Sequence, residues 1–438
     1  MADADGGQAD GADAFDAGGA PGDGDGQTDT DPDLPIDEAL AAIEGMTVYD
    51  RGSSDGYRVF DLVFRLPVDH GDPEGQDFGL RMTLLHLSKD APFVLVTTGY
   101  NNAIGSQQVG LAWLLEANQL SVEYRYYGES VPFPTDFDFL TTQQASADFH
   151  SVVTVLRPIY TGPWISTGKS KGGMTVIHHR RFYPDDVVGT VSYVSPNLLG
   201  APDIRYEAFF DTVGESDCRE HVRALQREIL TRRDSMLPLV ENAGYQYDRI
   251  GGPVVAFESA VVEAQFDYWQ YSGQAGCTGL PDLDATDVIL FNDFLDAARA
   301  LALTSDSSLE HYGSWYYQAQ SQLGYPLVPQ AHLADLLTVP VICEEGLPPD
   351  GTSPVYDPAV ALDIDDWVRT QASQLMIVLG EVDPYSTGHF QVDPGLDSYL
   401  FIVPGGDHDS TLSMMTPADK ATASDALTRW TGVDATLP

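Results

Sequence analysis

Residues 166–175 read STGKSKGGMT. Within them Gly168, Ser170 and Gly172 set a G-x-S-x-G pattern between an apolar run, PWISTG, and an amphipathic one, SKGGMTVIHHRRF. A serine on a strand-to-helix turn sits where the chain must reverse sharply, and flanking glycines remove the side chains that would collide there. Such a turn holds the serine in an unfavourable backbone region and lifts its hydroxyl clear of a sheet. The stretch also holds Lys169 and Lys171, two of the chain's four lysines. In a chain of formal charge −44, positive charge beside a serine either helps hold a developing oxyanion or pairs with local acids.

Outward from this turn, short apolar runs alternate with helical periods, the order that a mostly parallel sheet covered by helices requires. YRVFDLVFRL, GLRMTLLHLS, PFVLVTTGY and LSVEYRYYG precede the turn as candidate strands. Between them and the serine, Ala145, Phe149, Val152, Val153 and Leu156 share one helical face that ends before Pro158. VVGTVSYVSP follows as another strand. From about 205 to 365 the periods turn mostly helical, with Val222, Leu225 and Ile229 and later Phe291, Phe294 and Leu295 as examples. The strand pattern resumes in QLMIVLGEVD and SYLFIVPGGDH, and an amphipathic helix over 416–431 closes the chain. The expected architecture is an α/β core in two parts, 39–204 and 366–438, with a helical cap at 205–365 inserted above the carboxyl ends of the strands, where open α/β sheets bind ligands.

Composition narrows the functional classes. The 438 residues carry 66 Asp and Glu against 22 Lys and Arg, which repels phosphate backbones and anionic membranes, so nucleic acid is not an expected partner. The same acidity suits a protein kept soluble in high salt or a charged extracellular surface. Residues 1–38 are mostly Asp, Gly and Ala and cannot bury enough apolar surface to offset backbone entropy, so an acidic tether is expected there. Its stretch DGDGQTDTDPD has calcium-loop spacing but lacks the twelfth-position Glu. No run of 18 apolar residues occurs, and MADADGGQAD is no signal sequence, which fits a cytosolic chain or an exported one whose signal has been removed. Cys218, Cys277 and Cys343 allow at most one internal disulfide. No H-E-x-x-H or clustered Cys and His spacing is present, so neither a metal nor another cofactor is expected.

A serine nucleophile needs a base and a carboxylate, in the chain order Ser, Asp, His on this architecture. Asp383 follows the run LMIVLG and His408 follows SYLFIVPGG. His389 lies too close behind Asp383, with no strand between them. Glu381 is the rival acid, and Asp407 and Asp409 are too near His408 in sequence to orient it easily. The expected triad is Ser170, Asp383 and His408. The two N–H donors for an oxyanion are expected from the backbone of Lys171 and, in TTGYNN, of Gly99 or Tyr100.

LPVDHGDP, TTGYNN, VEYRYYGES, GKSKGGMTVIHHRRFYPDDVVGTVSYVSPN, QREILTRRD, FDYWQYSGQAGC, GEVDPYS and GGDH together resemble the secreted prolyl tripeptidyl and tetrapeptidyl aminopeptidases, over about residues 56–430. A more distant likeness, through V-D-H, E-x-R-Y-Y-G-x-S and G-x-x-D-P, reaches lysosomal Pro-X carboxypeptidase and dipeptidyl peptidases. The resemblance implies an α/β-hydrolase core and a secreted or envelope-bound serine peptidase that takes short peptides from free amino termini, preferring proline before the cut bond. It puts the triad on the same three residues and implies a Cys218–Cys277 disulfide in the cap. Tyr385 and Tyr124 stand where relatives often have tryptophan and histidine. A proline ring fits a flat aromatic wall, for which Tyr268, Trp269, Trp315 and Tyr316 are candidates, and a protonated amino terminus fits carboxylates, for which Glu123, Glu258 and Glu263 are candidates. A carboxylesterase or lipase would use the same triad on the same fold, and a surface binding protein without activity is the third reading.

Overall fold

A computed structural model describes residues 34–438, so the expected tether up to Asp33 and its calcium-like stretch lie outside the described residues. Helix α1 (Ile36–Ala41) falls partly within the stretch assigned to the tether, and it buries Ile36, Ala39 and Leu40 against the core. The acidic composition ahead of it masks this short apolar period.

Among the described residues, nine strands form one sheet in the order β1-β2-β3-β5-β4-β6-β7-β8-β9. β1 (Met46–Ser54), β2 (Tyr57–Pro67) and β3 (Asp77–His86) run antiparallel, and β3 pairs antiparallel with β5 (Asn118–Val122). From β5 the sheet is parallel through β4 (Phe93–Thr97), β6 (Trp164–Lys169), β7 (Gly189–Tyr193), β8 (Leu375–Gly380) and β9 (Tyr399–Val403). This is an α/β-hydrolase core. β1 escapes the sequence reading because its outer residues are nearly all exposed, leaving no apolar alternation to see. What reveals it is Asp55-Gly56, both at positive φ, the dipeptide of a tight hairpin. The run LSVEYRYYG leaves the sheet at Val122, and the chain then turns through Tyr126 and Gly128, both at positive φ.

Both faces of the parallel part are covered, which is why these strands read as continuous apolar runs. In β8 the alternation is explicit. Leu375, Ile377 and Leu379 pack with Ile177 of α4 (Lys171–Phe182) and with Ile364 and Trp367 of the helix Ala359–Thr370. Met376 and Val378 face the other way, onto Ala423, Leu427 and Trp430 of the helix Pro417–Thr431. The helix Ala359–Thr370 therefore already belongs to the layer on the sheet, earlier than the expected boundary at 366, and it packs both on α4 and on the cap segment Ala319–Leu323. α2 (Gly110–Leu114) follows β4, and α3 (Thr142–Leu156) carries the buried face Ala145, Phe149, Val152, Val153 and Leu156.

Between Tyr193 and that helix the chain forms a helical cap. α5 (Ser216–Thr231) and α6 (Arg233–Glu241) flank α7 (Pro253–Tyr271), which is buried along nearly its whole length from Ala256 to Gln270. Cys218 on α5 is disulfide-bonded to Cys277, beyond α7 and 59 residues away in sequence. A crosslink over that separation restricts the unfolded chain and stabilises the cap by about 2–4 kcal/mol. Replacing both cysteines with serine is expected to lower the unfolding free energy by that amount, and with it the midpoint of denaturant unfolding. An unchanged midpoint would show that the cap does not need the bond.

Candidate active site

Four loops meet at the carboxyl ends of the parallel strands: after β4 at Thr98–Tyr100, after β6 at Ser170, after β8 at Asp383 and after β9 at His408. Ser170 joins β6 to α4 with φ 56° and ψ −125°, a region that costs an L-residue on the order of 1–3 kcal/mol. Main-chain contacts hold it there. Its N–H donates to the Tyr193 carbonyl at 2.9 Å, and its carbonyl accepts from Met174 N–H at 3.0 Å. A Cβ on Gly168 would lie 2.2 Å from the Gly172 oxygen, and one on Gly172 would lie 2.3 Å from the Thr97 oxygen. Gly99, at φ 77°, comes so close to α4 that a Cβ would lie 2.5 Å from the Gly172 nitrogen. Backbone packs on backbone around the serine, and the spacing in STGKSKGGMT follows from that.

His408 is buried, and its Nδ1 lies 2.7 Å from Asp383 Oδ2. The other Asp383 oxygen accepts from Tyr385 N–H at 3.0 Å. The carboxylate thus holds the imidazole with a proton on Nδ1, leaving Nε2 buried with no hydrogen-bond partner among the described residues. Ser170 and His408 line one cleft of about 480 Å³. The rival acid is otherwise engaged, since Glu381 accepts from Gly405 N–H at 2.6 Å and so pins the histidine loop. His389 bonds the Ser386 carbonyl at 2.8 Å. His408 N–H donates to the Gln270 carbonyl at 2.9 Å, which ties the histidine loop to cap helix α7.

The two lysines beside Ser170 have different fates. Lys169 is exposed and pairs with Asp409 on the histidine loop. Lys171 is buried, its Nζ donates to the Gly99 carbonyl at 2.7 Å, and it lies 3.4 Å from the centre of the Tyr124 ring. Burial holds its pKa well below the ordinary lysine range. The N–H groups of Tyr100 and Lys171 donate to no acceptor among the described residues.

Of the expected substrate-binding residues, Glu263, Trp315 and Tyr316 line the cleft. Four do not. The Tyr268 hydroxyl lies 3.7 and 3.6 Å from the disulfide sulfurs, and Trp269 is buried against Gly214. Glu123 accepts from the N–H groups of Asn102, Glu129 and Ser130 at 2.9, 3.0 and 3.0 Å and so braces the loop behind Tyr100. Glu258 holds Thr338 N–H at 2.7 Å and pairs with Arg233 at 2.8 Å inside the cap. The face of α7 explains the misplacement. Glu263, Phe266, Asp267, Gln270 and Tyr271 recur at helical spacing and line the cleft, so Tyr268 and Trp269 must turn into the cap. The spacing of three and four residues from Glu263 carries that stripe in the sequence itself.

The cleft sorts into an aromatic and an acidic part. Tyr385 and Tyr271 lie 5.4 and 5.8 Å from the His408 ring, and Phe266 lies 5.0 Å from Tyr385. Glu263, Asp267 and Glu345 bring three carboxyl groups, with Arg299 beside them. Asp267 is buried with Oδ2 unpartnered among the described residues. Burial, reinforced by the charge of Glu345 and opposed by Arg299, pushes its pKa up to about 8. Among the described residues no cluster of His, Cys, Asp and Glu is arranged to hold a metal ion, and no helix is long and apolar enough to cross a membrane.

Residues 31–437 match the family model described as PS-10 peptidase S37. The chain is 34% identical over 413 residues to a prolyl tri/tetrapeptidyl aminopeptidase of Streptomyces mobaraensis, covering 92% of this chain and 86% of that protein. It is 33% identical over 155 residues to lysosomal Pro-X carboxypeptidase of Mus musculus, 31% of this chain and 32% of that one. Among solved structures, a proline iminopeptidase of Mycobacterium smegmatis aligns at 16% identity and TM-score 0.38 over 83% of this chain and 96% of that chain.

The turn's geometry sets opposite expectations for two neighbouring substitutions. Ser170→Gly relieves the positive-φ strain at a smaller entropic cost and is expected to raise stability by about 1 kcal/mol. Gly172→Ala drives a methyl into the Thr97 carbonyl and is expected to lower it by about 2 kcal/mol or more. Calorimetric melting of both variants checks the pair, and a Gly172→Ala protein as stable as the parent would contradict the close packing.

Proposed function

The chain belongs to the PS-10 peptidase S37 family, and from that premise we propose that it releases tri- or tetrapeptides from free amino termini by cutting after proline. The observation that carries this reading is the 34% identity, over 92% of the chain, to a relative named for that activity. In the proposed mechanism Ser170 Oγ bonds to the carbonyl carbon while its proton passes to His408 Nε2, and Asp383 stabilises the imidazolium. The carbonyl's π electrons move to oxygen, and the oxyanion is held by the N–H groups of Lys171 and of Gly99 or Tyr100. The N–H groups of Gly99 and Tyr100 both lack an acceptor among the described residues, and that of Tyr100 belongs to the peptide unit whose oxygen Lys171 holds. Collapse breaks the C–N bond as His408 returns the proton to the leaving amine. Water then releases the acyl peptide by the same steps.

Placement of the side chains around His408 supports the specificity. Tyr385 and Tyr271 flank the imidazole and, with Phe266 behind Tyr385, offer a flat wall to a proline next to the cut bond, with Trp315 and Tyr316 elsewhere in the cleft. Glu263, Asp267 and Glu345 suit a protonated amino terminus. A buried, unpartnered Asp267 oxygen destabilises the fold unless a cation meets it. A disulfide in the cap fits an exported or envelope location, where disulfides persist.

Substrates of the Ala-Ala-Pro-anilide type, with blocked and unblocked amino termini, test the reading. Turnover is expected for the unblocked form alone, and Ser170→Ala is expected to lower kcat by about 10⁴–10⁶-fold. Hydrolysis confined to simple acyl esters would favour an esterase instead.

Asp267→Asn separates binding from stability. The raised pKa means that the folded chain keeps a proton the unfolded chain releases, so folding stability falls as pH rises from about 4 to about 8 and stays reduced above that. The Asn variant is expected to melt higher than the parent at pH 8, with the difference shrinking toward pH 4. Its KM for unblocked substrates is expected to rise about 10–100-fold. A lower melting point at pH 8 would assign Asp267 a structural role.

A further inference from the structure

Lys171 is an unusual place for a charge. The chain has 66 acidic residues, yet no carboxylate lies within ion-pair distance of this ammonium among the described residues. Taking an ammonium out of water costs several kcal/mol, and a methionine of similar length would fill the space without that cost. What meets the charge is the Gly99 carbonyl at 2.7 Å and the faces of Tyr124, Tyr127 and Tyr100, with ring centres at 3.4, 5.1 and 5.4 Å. The rings offset part of the desolvation, but they do not explain why an amine rather than a hydrophobe occupies the site.

The carbonyl does. Gly99 C=O and Tyr100 N–H are opposite poles of one planar peptide unit. The Nζ donor on the oxygen fixes the plane of that unit and draws electron density from it, which makes its N–H a stronger donor. Downstream, the Tyr100 carbonyl is held by Tyr124 N–H at 2.9 Å and by Thr98 Oγ1 at 2.7 Å. Upstream, Gly99 packs on the first turn of α4, with a hypothetical Cβ 2.5 Å from the Gly172 nitrogen. The peptide unit is thus fastened on three sides, while its N–H is left without an acceptor among the described residues.

We propose that Lys171 is a positioning residue for acyl transfer: its side chain, through the Gly99 carbonyl, aims and polarises the Tyr100 N–H toward the oxyanion, while its own backbone N–H supplies the other donor. One residue then sets both donors and their separation. The proposal rests on the acyl-transfer reading given above.

Lys171→Met and Lys171→Gln test it with an unblocked prolyl tripeptide substrate and the matching tripeptide aldehyde. The aldehyde accepts Ser170 Oγ at its carbonyl carbon, the serine proton passes to His408, and the oxygen of the adduct occupies the donor site. Lys171→Met is expected to lower kcat about 10–100-fold, short of the 10²–10³-fold that follows outright loss of an oxyanion donor. Its inhibition constant for the aldehyde is expected to rise by the same factor. Binding of intact substrate, measured in a Ser170→Ala background with and without Lys171→Met, is expected to stay within about twofold. Lys171→Gln keeps a neutral donor for Gly99 and is expected to fall between Met and the parent, so it carries the same comparison if the Met variant does not fold. The proposal is overturned if both variants keep kcat and aldehyde affinity within twofold, or if intact substrate loses as much affinity as the aldehyde. A Ser170→Ala protein with parental turnover would instead remove the acyl-transfer reading itself.

Discussion

At Ser170 the chain turns with φ 56°, and the turn exists because glycines at 99, 168 and 172 let main chain lie against main chain. Everything around the cleft is referred to that contact. It sets how β6 ends, where α4 begins and how closely the β4 loop approaches. The strain at one residue is distributed over hydrogen bonds to β7 and to the first turn of α4, so the surrounding sheet and helix over-determine the conformation. A covered parallel sheet supplies the rigidity this needs, because each central strand is packed on both faces.

The cap supplies a different chemistry. The sheet loops bring a hydroxyl, an imidazole and a buried carboxylate, whereas α7 brings the stripe Glu263, Phe266, Asp267, Gln270 and Tyr271, three acidic or polar residues and two aromatic ones. A buried helix that turns Asp267 inward is poorly explained by stability, because a buried carboxyl with an unpartnered oxygen opposes folding. It is well explained by a ligand that carries a cationic end and an apolar ring. On the proposed reading both belong to one short peptide, and the division of the cleft matches the division of the substrate.

The core strands were legible because burial on both faces turns them into apolar runs bounded by turn residues, and the serine turn was legible because its glycines answer a steric need visible in the spacing. β1 was hidden because an edge hairpin with exposed residues has no apolar face to declare it. The roles of Glu123 and Glu258 could not be read, because a carboxylate that braces loops and one that greets a ligand look alike until the N–H groups around them are located. Tyr268 and Trp269 sit one and two residues past Asp267, and on a helix that step turns a side chain from the cleft into the cap interior. The loops that hold Gly99, Asp383 and His408 carry no periodicity, so only their positions after strands could be used.

One backbone contact binds the two layers in a way that bears on how the enzyme is kept in check. The N–H of His408 rests on the Gln270 carbonyl, near the end of α7. If the lid swings outward, the loop bearing the proposed base loses its anchor at the same moment that bulk water floods the chamber. On the proposed reading, an ajar enzyme would be a disarmed one.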